Sequence, residues 1–135
     1  MITYWNFVDE LLVRVPEFRD VYEEQVEDEF DDVPSHLLVR DLLRFTGRMY
    51  DESLQPGASP LARDIVMRAL SFIEDAALSD DEQVGELVEQ SFLGGWWELS
   101  EPSRHIRILL GPRACALLQV LDDNERRRRS EQSHE

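Results

Sequence analysis

The groups in this chain that could do chemistry are three histidines, one cysteine and 29 acidic side chains. His36, His105 and His134 stand apart from one another, with no HExxH and no paired metal-ligand spacing, so no metal centre is expected. His36 could act as a base, but no serine or cysteine nucleophile and oriented acid are identifiable around it, and it reads as a polar residue at a helix start. Cys115 sits in an apolar run and reads as a small core residue; alone, it permits no internal disulfide. There is no glycine-rich phosphate loop, and the clustered acids lack the DxDxDG spacing of a calcium loop. No cofactor and no catalytic residue are expected, and the chain reads as a binding protein rather than an enzyme.

What remains is the acidic run. Residues 17–32 hold nine acids and one arginine. On a helical wheel of about 100° per residue, Phe18, Val21, Tyr22, Val26 and Phe30 share one side, and Asp20, Glu23, Glu24, Glu27 and Asp31 the other. Pro16 suits a first helical turn, where its missing N–H is not needed. Like charges three or four apart each cost roughly 0.2–0.5 kcal/mol, and no lysine or arginine in the pattern relieves them. A solvated helix face is the simple account. The sharper one is a surface kept negative for a basic partner, because an isolated charge field steers association.

Net charge points the same way. The chain carries −15, from 29 acids against 14 bases, all of them arginine. That disfavours direct binding to nucleic acid or to an anionic membrane, both of which need positive charge. The opening MITYWNFVDELL has no basic leader before an apolar block, and no apolar run approaches a membrane span, so a cytoplasmic location is expected.

The elements that must position these residues read as helices throughout. Helical spacing of Tyr4, Val8, Leu11, Leu12 and Val15, with Trp5 beside them, predicts a helix over 4–15 that Pro16 breaks before the acidic helix. A turn at Val33-Pro34 with Ser35 as cap precedes a helix over 36–54, apolar over more than half its wheel and therefore central. Residues 53–59, SLQPGAS, read as a loop, and Ser59-Pro60 as cap and first residue of a helix to about Leu78. Ser79 to Glu82 has capping-box spacing for a helix reaching Leu93, whose outer face carries Glu82, Glu86 and Glu89. Gly94-Gly95 should end it in the left-handed conformation. Further helices are expected over 103–110 and 113–121. The prediction is a single all-α domain, residues 1–123, of six or seven helices as an orthogonal bundle or a helix-pair stack. A disordered tail is expected over 124–135, where Arg126, Arg127, Arg128 and Arg129 lie among acids. The adjacent Trp96 and Trp97 cannot both face one core from a helix, so one is expected in the core, and the other roofs it or is free to anchor a partner.

Several short stretches resemble a family of small, uncharacterised, acidic all-helical bacterial domains. They are Pro16-Glu17-Phe18 with Tyr22-Glu23-Glu24, then Val33-Pro34-Ser35-His36-Leu37-Leu38, Asp41-Leu42, Ser91-Phe92-Leu93 and Leu109-Leu110-Gly111-Pro112. Gly94-Gly95 departs from the acidic or polar pair that usually follows Ser-Phe-Leu there. The resemblance implies immunity proteins, or genes near toxin and defence loci. The expected function is therefore protein binding: an immunity protein that neutralises a basic toxin such as a nuclease, using Asp20, Glu23, Glu24, Glu27 and Asp31 with Trp96 or Trp97. A DNA mimic or regulatory adaptor of a phage-defence system is the alternative.

Overall fold

The computed structural model describes residues 1–28 and 35–132, and these are helical with no strand among them. In chain order the α-helices are α1 (Phe7–Arg14), α2 (Arg19–Asp28), α3 (Ser35–Ser53), α4 (Pro60–Ala77), α5 (Glu82–Glu86) and α6 (Pro112–Gln132). A 3₁₀ turn, Pro16–Phe18, leads into α2. Beyond α5 the chain widens into a π turn, Leu87–Phe92, tightens into a 3₁₀ segment, Leu93–Glu98, and forms a second 3₁₀ segment, Ser103–Leu109. The all-α expectation holds, as a single domain about one core.

α3 is the axis. It packs on α4, on the π turn and on both 3₁₀ segments, and it buries Leu38, Val39, Leu42, Leu43 and Phe45. Gly47 lets it come close to the 99–103 stretch, because a Cβ there would sit 3.0 Å from the Leu99 side chain. Edge-to-face ring pairs bind the N-terminal third to this centre. Phe7 meets Phe72 at 5.1 Å, and Phe18 meets Phe45 at 5.4 Å.

The helix starts follow side-chain chemistry. Ser59 accepts the Leu61 amide at 3.2 Å with Pro60 first in α4, as its sequence predicts. The cap of α5 is Asp81 rather than Ser79; Asp81 accepts the Gln83 amide at 3.0 Å. The Ser79 hydroxyl accepts the Asp81 amide at 3.1 Å and donates to the Ile2 carbonyl at 2.5 Å, tying down the N-terminal turn. The first turn of α6 is closed from another helix: Glu74 of α4 accepts the Arg113 and Ala114 amides at 2.7 and 3.0 Å. Gly111 is needed there, since a Cβ would overlap that carboxylate.

Two expectations change. Gly94 and Gly95 do not end a helix in the left-handed conformation; among the described glycines only Gly57, in the 53–59 loop, has positive φ. The chain runs through them as π turn into 3₁₀ segment, and Gly95 serves a close approach instead. A Cβ on it would lie 2.6 Å from Arg40 Nε. That guanidinium donates to the Ser91 and Gln90 carbonyls at 2.8 and 3.3 Å and pairs with Glu98 at 2.7 Å, joining α3 to the place where the helical pitch changes. At the other end, α6 carries residues 124–132 onward as helix where a disordered tail was expected. Ion pairs one turn apart, Arg126 to Asp122 and Arg129 to Glu125, support it locally.

Candidate functional site

The acidic helix is held by one edge. Phe18, fully buried just before α2, anchors it, and Val21 and Tyr22 pack half-buried against the core. Glu17 and Gln25 face inward too. Glu17 takes a two-pronged ion pair from Arg68, at 2.7 and 2.8 Å, and the Gln25 amide donates to Asp41 of α3. Arg68 also donates to Asp64 at 2.9 Å and to the Arg14 carbonyl at 3.0 Å, so α1, the 3₁₀ turn that leads into α2, and α4 meet at one guanidinium.

That pair shifts both partners. The hydrogen bonds from Arg68 hold the Glu17 carboxyl below its ordinary range, against the opposing effect of burial. The bond to Glu17, helped by Asp64, raises Arg68 above an ordinary arginine. The depressed carboxyl carries the pH consequence. Its stabilisation is fully present above the unfolded carboxylate pKa and is lost as pH falls through the lower, folded value. Arg68 stays charged throughout that window and adds no slope to it. Urea midpoints followed from about pH 7 to about pH 3 should fall, and Arg68→Met should flatten part of that fall. Identical acid limbs in the two proteins would show that the pair contributes none of it.

On the outer side of α2, Asp20, Glu23 and Glu24 are exposed, and none makes an ion pair among the described residues. Arg19, at the start of α2, makes no ion pair among the described residues either, while Arg14 pairs with Asp75 and Glu10, Arg40 with Glu98, Arg44 with Asp41 and Glu98, and Arg68 with Glu17 and Asp64. Glu24 borders a notch of about 220 Å³ with Val21, Gln25 and Asp41. Glu27 belongs to α2, but its side chain is outside the described set, and Asp31 lies outside the described residues altogether.

The tryptophans divide differently from a partner-anchoring pair. Trp96 is in the core at 3% exposure, and Trp97 lies half-buried against it, with its carbonyl accepting from Arg104 at 3.0 Å. Trp96 is thus closed to a partner. The tryptophan that stands free is Trp5, 89% exposed, which was placed only beside the apolar row of α1.

A second acidic face was also in view. Asp80, Glu82, Glu86 and Glu89 are exposed on and around α5 without ion pairs among the described residues. Glu86 lines a cleft of about 230 Å³ with Tyr4, His36, Gln83, Leu87, Gln90 and Ser91. His36 and Ser91 share that cleft, but His36 makes no hydrogen bond among the described residues, so no base is held against the hydroxyl. No group of three or more His, Cys, Asp and Glu side chains among the described residues is placed to hold a metal ion. No described helix is long and apolar enough to cross a membrane.

No family model, curated protein or solved structure matches the chain. The functional case therefore rests on the geometry.

Proposed function

We propose that this chain is a cytoplasmic acidic binding protein that neutralises a basic partner, in the manner of an immunity protein against a bacterial toxin such as a nuclease. The observation that carries this reading is the outer side of α2. Asp20, Glu23 and Glu24 are exposed there with no ion pair among the described residues, while Arg14, Arg40, Arg44 and Arg68 on the neighbouring helices bind other acids. A protein that cleaves nucleic acid tends to be basic because its substrate is anionic, so an acidic inhibitor matches it and is steered to it. Self-repulsion along α2 is then the cost of a surface kept ready for association.

The test is kinetic. Glu23, Glu24 and Glu27 are reversed together to arginine, and binding is followed against a basic nuclease toxin domain. The variant should fold normally, because Glu23 and Glu24, the described positions among them, are exposed. Its association should slow by at least about tenfold at low salt, with a weaker dependence on ionic strength. An unchanged on-rate and unchanged salt dependence would remove α2 as the interface.

A further inference from the structure

Trp5 is an expensive residue to leave in water, and the chain holds it there firmly. The turn before α1 is cross-linked on itself, Thr3 N–H to Asn6 Oδ1 at 2.7 Å and Asn6 N–H to Thr3 Oγ1 at 3.3 Å. It is also tied to the start of α5: the Tyr4 amide donates to Asp81 Oδ2 at 2.8 Å, and Ser79 Oγ to the Ile2 carbonyl at 2.5 Å. The Tyr4 and Trp5 rings meet at right angles, their centroids 6.0 Å apart and their planes at 82°. The same Tyr4 forms one wall of the cleft that contains Glu86, Gln83 and Gln90. An indole face, a phenol, a carboxylate and two amides are thus gathered at one corner, beside Asp80 and Glu82.

We infer that this corner is a second docking point, where an arginine side chain of the basic partner enters the Tyr4–Glu86 cleft and lies against Trp5. This rests on the basic-partner reading above and adds a surface to it. Charge complementarity selects the occupant: there is no base between Glu74 and Gly95 in the sequence, so nothing on α5 offsets Glu86. A guanidinium can stack on an indole while its N–H groups meet a carboxylate, and its methylene stem suits the apolar wall given by Tyr4 and Leu87. A lysine could use only the charge. Because the Trp5 turn is already fixed, little ordering is lost on binding, and tryptophan is the side chain most often dominant at such centres.

The test uses the full chain, labelled with ¹⁵N, and N-acetyl octa-arginine amide as the probe at low salt. The Trp5 indole N–H and the backbone amides of Gln83, Glu86 and Gln90 should shift together and saturate with one dissociation constant. Trp5→Ala, which removes an exposed ring and should leave the fold intact, should weaken that constant by about tenfold, and Trp5→Phe by less. Octa-lysine should bind more weakly than octa-arginine. Shifts confined to Asp20, Glu23 and Glu24 on α2, or an affinity unchanged by Trp5→Ala, would overturn this docking point and leave the basic-partner reading standing. No saturable shift anywhere on the protein would overturn both.

Discussion

Phe18→Ala should be among the most damaging single changes in the molecule, costing about 3–5 kcal/mol and lowering the melting temperature by on the order of 10–15 °C. The ring is fully buried, packs edge-to-face on Phe45 of α3, and stands where the 3₁₀ turn becomes α2. Few other groups can take over its work. Val21, Tyr22 and Val26 are only half-buried, and the rest of α2 is polar, so the apolar hold on the acidic helix is concentrated in this one side chain. The effect should also be uneven. Amide hydrogen exchange in α2 should rise well before that in α3 or α4, because the lost contact is the root of α2 and the rest of the core keeps its own neighbours. Thermal unfolding with exchange measured on the same samples checks both parts. A drop under about 3 °C, or uniform loss of protection, would show that α2 is held by something other than this ring.

Gly95→Ala should cost about 1.5–3 kcal/mol, or roughly 5–10 °C. No backbone strain is involved, since Gly95 has ordinary negative φ. The cost comes from Arg40, whose Nε, Cδ and Cζ would all lie within 2.9 Å of the added methyl. The guanidinium can move away only by releasing the Ser91 and Gln90 carbonyls and the Glu98 carboxylate. Arg40→Ala breaks the same contacts from the other side. The double variant should therefore be far less destabilised than the sum of the two single ones, the mark of residues acting through one interaction. Additive losses in a urea titration would mean that Gly95 serves some other purpose.

Much of this architecture could be read from the residues, and the places where it could not share a physical cause. Helical periodicity located α1, α3 and α4 to within a few residues, because each buries one continuous stripe and that stripe sets the spacing. Ser59-Pro60 was legible for a related reason: a cap followed by proline acts within one turn of chain. Two of the failures involve partners distant in sequence. Gly95 looked like a helix stop until Arg40, from α3, was seen to occupy the space beside it. Ser79 had the spacing of a cap, but Asp81, held by the Tyr4 amide from the far end of the chain, takes that place. The candidate site divides along the same line. Exposure of Asp20, Glu23 and Glu24 followed from the wheel, since a polar face opposite an apolar one must meet water. Which tryptophan stands free did not follow, because Trp96 and Trp5 differ in what the remote chain places over them.

The carboxylate of Glu74 has one more consequence. It closes the first turn of α6 from 39 and 40 positions upstream, so the last helix begins on a donor–acceptor contact it does not own. A helix capped by its own neighbouring residues can form wherever its sequence is placed. This one has its starting point, and with it the bearing on which it leaves the body, dictated by α4. Arg126, Arg127, Arg128 and Arg129 sit well beyond the last buried residue, Leu118, like markings far along a rod clamped at its base. A small tilt at Gly111 would sweep them through a wide arc. The clamp at Glu74, with Ala114 and Leu118 buried behind it, thus sets where the chain's densest positive charge points.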